Sequence, residues 1–485
     1  MADLDAKLLS ISLSRGIFFP SAEIFSNALS GFWDYGPIGL SIQNNVLTLF
    51  RRFLKSIDAV EISGASILPK QVLKASGHEA KFFDVVTRCG KCGSLYRVDK
   101  LLEGLGISDN VEGLSDDQYR DLLKKNGVKC SKCGTPLEKV EHFYLMFPIM
   151  IGDTKESNAY LRPEACQSIF LDFKRVYETS GKKLPLIMSQ TGRAFRNEIS
   201  ARESLLRQRE FLQSDIEIFF TDDSGFEVDR SAEINFRDGD KDVKLGVDKA
   251  LEINLIENKV TAFALSNVHK FFTSVGFSSD ILRFRKLYSD KAFYSKESFD
   301  IEIKKGEDWI EVASCNYRGD YDLSSYKKAG AEVVEVDGKI PSIFEVSIGT
   351  DRLIYLLLYN SLMSDSERYW LKLKSSVAPF VSAVFPLLSK KELEDVAEKI
   401  VNSSAYSQNI YYLDGGSIGK RYRKGDEIGV PLAFTVDYQT LEDSTVTVRD
   451  RDTMKQFRVK MADIDKVISE SMSSDFDSLS KKFNT

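Results

Sequence analysis

The first third of the chain alternates between helical patterns of apolar residues and breaks rich in glycine and proline. The segment GFWDYGPIGL (31–40) is such a break, because glycine and proline favour turns. After it, apolar residues recur at helical spacing, which predicts one amphipathic helix. These residues are Ile42, Val46, Leu49, Phe50 and Phe53. A turn leading into a second helix is predicted at LRPEACQSIFLDFKRVY (161–177).

The middle of the chain favours strands. LPLIMSQTGRAFRNEI (184–199) and REFLQSDIEIFFT (209–221) predict two strands joined by a loop. Residues 222–300 are charged and mixed in pattern, which indicates an insertion. Strand patterns return at 309–323, and SIFEVSIGTDRLIYLLLYN (342–360) predicts a strand followed by a helix.

Near residue 375 the pattern changes to alternating strands and helices with late hairpins. This order predicts a separate α/β domain over residues 375–485. A polar helix is predicted around GKRYRK (419–424). The final stretch, SSDFDSLSKKFNT (473–485), is expected to be loose.

Composition and charge narrow the class of protein. The chain has 485 residues, 43% of them hydrophobic, so a packed core is expected. It carries 72 acidic against 66 basic residues, a net charge of −6, which does not indicate a nucleic-acid binder unless a basic stripe forms locally. No apolar stretch is long enough to span a membrane, and the first residues do not resemble a secretory signal. A cytoplasmic protein is therefore expected.

Arginines are concentrated in one stretch of this acidic chain, RAFRNEISARESLLRQREFLQSDIEIFF (193–220). If two antiparallel strands flank the loop, alternation puts Arg196 and Glu198 on one face of the first strand. The second strand would add Arg207, Arg209, Phe211, Gln213 and Asp215 to one face. Guanidinium groups bind phosphate bidentately and an aromatic ring can stack on a purine, so this face suits a nucleotide. A solvated hairpin held by salt bridges would explain the same pattern.

Five stretches, taken in order, resemble one enzyme family. FRNEIS…LLRQREFLQSDIE resembles the second signature motif of class II aminoacyl-tRNA synthetases, and specifically of glycyl-tRNA synthetases of the archaeal and eukaryotic homodimeric type. GFWDYGPIGLSIQNNV resembles the first motif and dimer segment of that family, and FEVSIGTDRLIYLLL its third motif. LRPEACQ resembles a family helix start with a departure at Cys166, and GDEIGVPLAFTVDYQTLEDSTVTVRDRDTMKQFRV resembles its anticodon-binding domain.

The resemblance implies an α+β fold, with the antiparallel sheet of class II synthetases flanked by helices. It implies a catalytic domain over residues 1–374, a zinc-ribbon-like insertion over 84–145, a second insertion over 222–300 and an anticodon-binding domain over 375–485. The implied activity is ligation of glycine to tRNA(Gly) with ATP and Mg²⁺, through a glycyl-adenylate. A homodimer is implied, with residues near 20–60 at its interface.

The family motifs also imply site residues. Arg196 would hold the α-phosphate, Arg207 and Arg352 the γ-phosphate, while Phe211 stacks on adenine near Glu198. These residues, Phe211 apart, form the implied catalytic set. The full implied ATP site is Arg196, Asn197, Glu198, Leu206, Arg207, Arg209, Phe211, Glu311, Val312, Gly349 and Arg352.

The implied glycine site is rich in carboxylates. Asp215 stands where the family pattern has glutamate, which shortens the reach of that carboxylate. Glycine offers no side chain to bind, so a pocket crowded by Glu164 and Glu345 would select it by excluding a methyl group. The implied set is Arg97, Glu164, Phe211, Gln213, Asp215, Glu345 and Ser347.

Four of the six cysteines form two CxxCG pairs. Zn²⁺ favours four thiolates in a tetrahedron, so Cys89, Cys92, Cys130 and Cys133 predict a closed, structural zinc site. Four reduced thiols without metal remain the alternative. Cys166 and Cys315 stand alone and are expected to be core thiols.

Three further features of the sequence are a histidine, a basic helix and a loop that could contact tRNA. His78 is expected to be structural or to contact tRNA. The helix GKRYRK either is a solvated face or contacts tRNA phosphates and bases. The loop 199–206, with Arg202, is expected to reach the acceptor end of tRNA.

Two rival functions differ from glycine activation. A non-enzymatic relative, such as the accessory subunit of the mitochondrial DNA polymerase, would bind nucleic acid without activating an amino acid. Retention of Arg196, Glu198, Arg207, Phe211 and Arg352 together argues against it. A synthetase for threonine, proline or serine is disfavoured by the acidic pocket.

Overall fold

The computed structural model describes most of the chain. The described residues are 2–107, 114–153, 156–199, 201, 203–229, 232–288 and 295–485. The elements up to residue 144 are α1 (Ala2–Arg15), β1 (Phe18–Pro20), β2 (Trp33–Tyr35), α2 (Pro37–Ser56), β3 (Val60–Ile62), β4 (Ile67–Pro69), α3 (Lys70–Ala75), α4 (His78–Lys81), β5 (Phe83–Arg88), β6 (Leu95–Arg97), α5 (Val98–Glu103), α6 (Asp116–Lys125) and β7 (Glu141–Tyr144).

The middle of the chain contributes most of the strands. Its elements are β8 (Pro148–Ile149), β9 (Ala159–Leu161), α7 (Cys166–Thr179), β10 (Leu186–Phe195), β11 (Glu210–Phe220), β12 (Glu233–Asp238), β13 (Lys241–Gly246), α8 (Val247–Glu252), α9 (Lys259–Val275), β14 (Leu282–Leu287), β15 (Glu297–Lys305), β16 (Asp308–Gly319), α10 (Tyr321–Lys328), β17 (Ser342–Gly349), α11 (Thr350–Ser361), β18 (Leu362–Ser364) and β19 (Tyr369–Leu371).

The last part of the chain mixes short strands and helices. Its elements are β20 (Ser382–Pro386), α12 (Lys391–Ser403), β21 (Ile410–Tyr412), α13 (Ile418–Glu427), β22 (Leu432–Val436), α14 (Tyr438–Asp443), β23 (Thr445–Asp450), β24 (Gln456–Lys460), α15 (Ile464–Ser471) and α16 (Phe476–Phe483).

A nine-stranded sheet forms the centre of the larger domain, in the order β13-β12-β14-β15-β16-β17-β11-β10-β3. Its pairings are antiparallel except for β10 with β3 and β12 with β14. Apolar residues of α2, α9 and α11 share one core with this sheet. On α7, Phe173 stacks on Phe219 of β11 at 3.9 Å between ring centroids. The central strands therefore lie between two helical layers.

The helix predicted after the glycine and proline break is confirmed as α2. Pro37 occupies its first turn, where a missing N–H costs nothing. Ile42, Val46 and Phe50 are buried, as the spacing predicts. The stretch 222–300, interpreted as an insertion, contributes β12, β13 and β14 to the main sheet, and α9 packs in the main core.

The cysteine-bearing segment has a small fold of its own. Strands β6, β5 and β7 pair in that order, and α5 and α6 complete the segment. Its core contains Val98, Leu102, Tyr119 and Leu123, together with other buried residues. The segment therefore has an apolar core of its own.

The C-terminal part forms a five-stranded sheet in the order β21-β20-β22-β23-β24. Its first pairings are parallel and its last two are antiparallel, as the α/β pattern predicts. The expectation of a loose tail is wrong. Asp475 caps α16, Leu479 is 2% exposed, and Phe476 contacts Phe457, so apolar contacts hold the last helix on the domain.

Candidate active site

Two neighbouring strands build the centre of the site. Strands β10 and β11 pair antiparallel, from Leu186 opposite Phe219 to Phe195 opposite Glu210. Along β11, Phe211 and Gln213 both line the same cavity, as period-two alternation predicts. The alternation does not extend to the arginines before β11, because the strand begins only at Glu210.

One cavity collects most of the residues that the sequence indicates. With its open mouth it encloses about 950 Å³ of empty space, which suits a small-molecule site. Residues expected from the sequence that line it are Glu164, Arg196, Glu198, Leu206, Arg207, Phe211, Gln213, Glu311, Val312, Glu345, Ser347, Gly349 and Arg352. Residues that the sequence did not single out are Leu205, Gln208, Leu212, Ala313, Ser314 and Asp351.

Three guanidinium groups from separate segments face this cavity. Arg196 donates to the Pro163 carbonyl at 3.1 Å and to Glu164 Oε1 at 3.3 Å. Its side chain stays 30% exposed, and its guanidinium carbon lies 5.5 Å from the centre of the Phe211 ring. One part of the group is therefore fixed by protein while another part remains accessible.

Arg207 and Arg352 are held in the same partial manner. Arg207 donates through Nε and Nη2 to Glu198 Oε2 at 2.9 and 2.7 Å, and is 32% exposed. Arg352 donates to the Leu206 carbonyl at 3.2 Å and to the Glu311 carbonyl at 2.6 Å. Backbone and carboxylate acceptors thus orient both arginines towards one space.

The opposite part of the cavity is acidic. Glu345 Oε2 accepts from Arg318 Nη1 at 3.0 Å and from Asn316 Nδ2 at 2.9 Å. Gln213 Nε2 donates to Ser347 Oγ at 2.5 Å. Glu164 joins this part to the arginines through its contact with Arg196. The arrangement can hold a cationic group beside Glu164 and Glu345, and an anion beside the arginines.

The carboxylates of this region differ in how readily they ionise. Burial alone would raise the pKa of Glu164, but the hydrogen bond and charge of His78, with Arg196 and Arg318, lower it well below its usual range. Burial raises the pKa of Glu345, opposed by Arg318 and assisted by Glu164. Burial and the charge of Glu345 raise the pKa of Asp215 well above its usual range. Glu164 is therefore the firmly ionised member.

Four residues of the expected set lie outside the cavity lining. Arg209 donates to the Glu198 carbonyl at 2.8 Å and to the Ser30 carbonyl, which turns it away from Arg207. Asn197 donates its backbone N–H to the Leu145 carbonyl at 2.7 Å.

The other two are Arg97 and Asp215. Arg97 pairs with Asp99 at 2.6 Å and with Asp84 at 3.5 Å in the cysteine-bearing segment. Asp215 is completely buried below the cavity. Arg202 lies outside the described residues.

Three residues hold the site together, and the sequence indicated none of their contacts. Asp351 accepts from the Tyr35 hydroxyl at 2.8 Å and from the Leu212 N–H at 2.7 Å, so it ties β2 and β11 to α11. Arg318, 1% exposed, binds Asp322 as well as Glu345. Arg318 is in β16 and Asp322 in α10, so helical spacing could not have indicated that pair.

His78 is the third of these residues. It lies 6% exposed, with Nε2 3.2 Å from Glu164 Oε2. The sequence shows only a lone histidine, and nothing local in it points to Glu164, which is distant along the chain.

The four paired cysteines meet at one point. Their sulfur atoms lie within 4.8 Å of one another, with Cys89 to Cys133 at 3.4 Å and Cys92 to Cys130 at 3.5 Å. A zinc tetrahedron with Zn–S bonds of about 2.3 Å has edges of about 3.8 Å, so the arrangement fits Zn²⁺. None of the six cysteines is in a disulfide.

The basic helix α13 is only partly available to a ligand. Arg421 is completely buried and donates to the carbonyls of Pro386, Asp414 and Gly416. The Tyr422 hydroxyl contacts Thr435 at 2.6 Å. Arg421 therefore cannot contact tRNA, contrary to one of the two interpretations of GKRYRK, because its donors satisfy buried carbonyls.

Comparisons with known proteins give the family. A family model of the tRNA synthetase class II core domain (G, H, P, S and T) matches residues 147–361, and one of an anticodon binding domain matches residues 381–471. A glycine–tRNA ligase of Thermococcus sibiricus is 33% identical over 96% of this chain and 98% of its own length. The chain belongs to the glycine–tRNA ligase family.

Further relatives agree with this assignment. A glycine–tRNA ligase of Pyrococcus furiosus is 34% identical over 94% of this chain and 97% of the relative, and one of Methanocaldococcus jannaschii is 30% identical over 95% and 98%. The crystal structure of a prolyl-tRNA synthetase from Cryptosporidium parvum, complexed with halofuginone and AMPPNP, shares the fold at a TM-score of 0.59 and 14% identity. That match covers 99% of this chain and 76% of that one.

The expected class II fold with an anticodon-binding domain is thus confirmed. No helix in the described ranges has both the length and the apolar character needed to cross a membrane.

Proposed function

We infer that the protein is a glycine–tRNA ligase, which activates glycine with ATP and transfers it to tRNA(Gly). The observation that carries this inference is one cavity lined by Arg196, Arg207 and Arg352 beside the carboxylates of Glu164 and Glu345, in a member of this family. The arginine end suits a triphosphate, and the acidic end suits an amino group.

Activation needs alignment and charge neutralisation more than a protein base. The carboxylate of glycine is already an anion at neutral pH, so it can attack the α-phosphorus directly and release diphosphate. Arg196 would neutralise charge at the α-phosphate, because its guanidinium lies between the acidic and arginine ends of the cavity. Arg207 and Arg352 would bind the far phosphates, and the Phe211 ring would stack on adenine.

The transfer step uses the same alignment. A terminal ribose hydroxyl of tRNA attacks the carbonyl of the adenylate, and AMP leaves. The open mouth of the cavity would admit the acceptor end. The C-terminal domain would bind the anticodon, and the described structure leaves Lys420 and Arg423 exposed on α13 for such contacts.

The residues present fit Mg²⁺ beside the phosphates. Glu311 lines the cavity, and burial together with the charge of Glu311 raises the pKa of Asp300 to about 7. Carboxylates whose negative charge is not fully balanced by nearby positive groups suit a divalent cation. When bound, the cation would neutralise charge on the phosphates. Glu311 would hold it.

Selection of glycine would work by exclusion. Glu164 and Glu345 would bind the ammonium group. A methyl group on the substrate would displace water from these two carboxylates, of which Glu345 is buried and Glu164 is 16% exposed, without solvating them. Alanine is the closest competitor, so the ratio of exchange with glycine to exchange with alanine measures this property.

The cysteine cluster would hold a structural Zn²⁺. Two similar knuckles bring the thiols together, each closed by a glycine with positive φ, Gly93 at 72° and Gly134 at 70°. Four protein ligands leave no open position, so the metal would stabilise the insertion and take no part in the reaction. Metal analysis of the purified protein should find about one zinc per chain, and none would overturn the proposal.

The proposed working unit is a homodimer in the cytoplasm. The segment between β1 and β2 leaves large apolar side chains exposed: Ile24 at 87%, Phe25 at 61% and Leu29 at 74%. A second copy would cover such a patch. Sedimentation velocity should give a dimer, and Phe25→Glu should weaken it.

Charging of tRNA tests the proposed function. Purified protein with ATP, Mg²⁺ and radiolabelled glycine should attach glycine to tRNA(Gly) and not to a tRNA for another amino acid. Attachment of a different amino acid, or of none, would overturn the proposal.

A further inference from the structure

His78 lies at the junction between the cysteine-bearing insertion and the acidic end of the cavity. It is the first residue of α4, preceded by Gly77 with φ of 86°. The residue is 6% exposed, and the centroid of its ring lies 5.5 Å from the centroid of the Phe82 ring. Both ring nitrogens have partners: Nδ1 is 2.8 Å from Ser76 Oγ, and Nε2 is 3.2 Å from Glu164 Oε2.

The hydrogen bonds determine where the imidazole carries its proton. The Glu164 carboxylate already accepts from Arg196, and an ionised carboxylate offers no donor, so Nε2 must carry a hydrogen to bond to it. Ser76 Oγ can donate to Nδ1, which leaves the ring neutral. It can instead donate to the Leu73 carbonyl, 3.3 Å away, and accept from a protonated Nδ1. Nε2–H points to Glu164 in both arrangements.

Glu164 in turn links the two ends of the cavity. Its Oε1 faces Arg196 at 3.3 Å, while its Oε2 faces His78 and also Gln167 Nε2 at 3.2 Å. With His78 removed, Oε2 would keep the Gln167 amide and the Cys166 thiol, 3.5 Å away, as donors among the described residues, and the carboxylate could rotate. Rotation would move the acceptor that orients Arg196 and the negative charge that faces the amino group.

We propose that His78 is a positioning residue for amino-acid activation, which fixes the Glu164 carboxylate through Nε2–H and thereby sets both the ammonium subsite and the orientation of Arg196. This rests on the proposed function of glycine activation. His78 itself does not line the cavity and touches no reacting atom. Its role is to hold one oxygen of Glu164 while Arg196 holds the other.

Two substitutions separate this role from general stability. In His78→Gln the amide nitrogen can occupy the place of Nε2 and still donate to Glu164. In His78→Asn the shorter amide reaches only towards Ser76. Because a hydrogen bond to a charged group is lost, His78→Asn should raise the KM for glycine on the order of tenfold or more. His78→Gln should stay within about threefold of wild type.

The readout is ATP–diphosphate exchange with varied glycine at saturating ATP, with the unfolding midpoint recorded for each variant. His142→Asn is the matched control, because His142 also pairs with a carboxylate, Asp116 at 2.9 Å, but on the insertion. It should leave the KM for glycine unchanged. Equal KM values for His78→Asn and His78→Gln, whether raised or normal, would overturn the proposal.

A second measurement needs no variant of His78. Nitrogen NMR of the three histidines, labelled with ¹⁵N and assigned by substitution of His142 and His269, should show a hydrogen on Nε2 of His78. A ring protonated on Nδ1 alone would contradict the proposal. Exchange by the wild type distinguishes failure of the proposed function from failure of the role of His78. If the wild type shows no exchange with glycine, the proposed function is wrong. If the wild type shows exchange and His78→Asn has an unchanged KM for glycine, only the role of His78 is wrong.

Discussion

Arginines are concentrated in two regions of this protein, and the two regions use them differently. Where the C-terminal domain meets the segment that precedes it, Asp426 accepts from Arg368 at 2.6 Å and from Arg449 at 2.9 and 3.0 Å. Arg451 donates there to the carbonyls of Leu373 and Gly429. All three arginines are 9% exposed or less. Their charges are neutralised within the protein.

In the cavity, by contrast, the arginines are only partly engaged. Arg196 and Arg207 are 30% and 32% exposed, and each has one carboxylate partner at the mouth of an open space. A guanidinium has five N–H donors, so partial engagement leaves donors for a phosphate. The extent of burial and pairing therefore distinguishes arginines that stabilise the fold from arginines that are available to bind a ligand.

The largest expected effect is on stability in the C-terminal domain. Asp426→Ala removes the shared carboxylate and leaves Arg368 and Arg449 buried without compensation, so the free energy of unfolding should fall by about 3–5 kcal/mol. Denaturant unfolding measures this. Asp477→Ala, at an exposed ion pair with Lys455, is the control and should change little. A small effect of Asp426→Ala would mean that this cluster does not hold the domain.

The next effect is on activity at the cavity. Arg196→Ala should lower glycine-dependent ATP–diphosphate exchange on the order of 10²–10³-fold, because a positioned donor to developing charge is lost. The unfolding midpoint should change little. Arg209 also lies between β10 and β11, but it is turned towards Ser30. Arg209→Ala should therefore lower the exchange rate at most about tenfold. Equal losses in the two variants would contradict the geometric distinction.

A smaller effect is expected at the acidic end. Glu345→Gln keeps the shape of the side chain but removes its charge, so the KM for glycine should rise on the order of ten- to a hundredfold. The KM for ATP should stay within a few-fold, because the arginines are unchanged. An unchanged KM for glycine would refute selection by these carboxylates.

The smallest effect concerns Glu217, whose carboxylate is completely buried and has no hydrogen-bond partner among the described residues. Burial, with the charge of Glu345, raises the pKa of Glu217 well above its ordinary value. The folded protein therefore keeps a proton that the unfolded chain releases. The stability from this proton is complete below the unfolded pKa and is lost as pH rises towards the folded pKa.

Glu217→Gln removes this titration. The stability of wild type relative to Glu217→Gln should therefore fall as pH rises above the ordinary pKa of a glutamate, measured by denaturant unfolding. The same change at the exposed Glu398 is the matched control for the loss of one surface carboxyl group. A relative stability that rises with pH would show that Glu217 is ionised in the folded protein.

Much of the fold could be predicted from local pattern. The spacing of Ile42, Val46 and Phe50 gave the helix α2, and the alternation of Phe211 and Gln213 gave one face of β11. Where the chain leaves regular strand geometry, the pattern failed: Arg207 and Arg209 are two apart, yet they point to different places. Alternation applies only inside a strand.

The supporting residues of the site could not be predicted from pattern. His78 meets Glu164 across 86 positions of sequence, and Arg318 meets Glu345 across 27. Such contacts depend on which strands become neighbours, and a lone polar residue carries no sign of its partner. For Arg421 the sequence suggested a ligand contact that the structure does not allow. A basic run with an aromatic residue is equally typical of a binding surface and of a helix whose arginine donates to buried carbonyls.

ATP–diphosphate exchange across the twenty amino acids is the most direct test of glycine activation in this cavity, because it requires the three arginines and the acidic pocket to act on one substrate pair. We expect exchange with glycine and only background exchange with the others, alanine included. Exchange with none of them, or with a larger amino acid in preference to glycine, would contradict it.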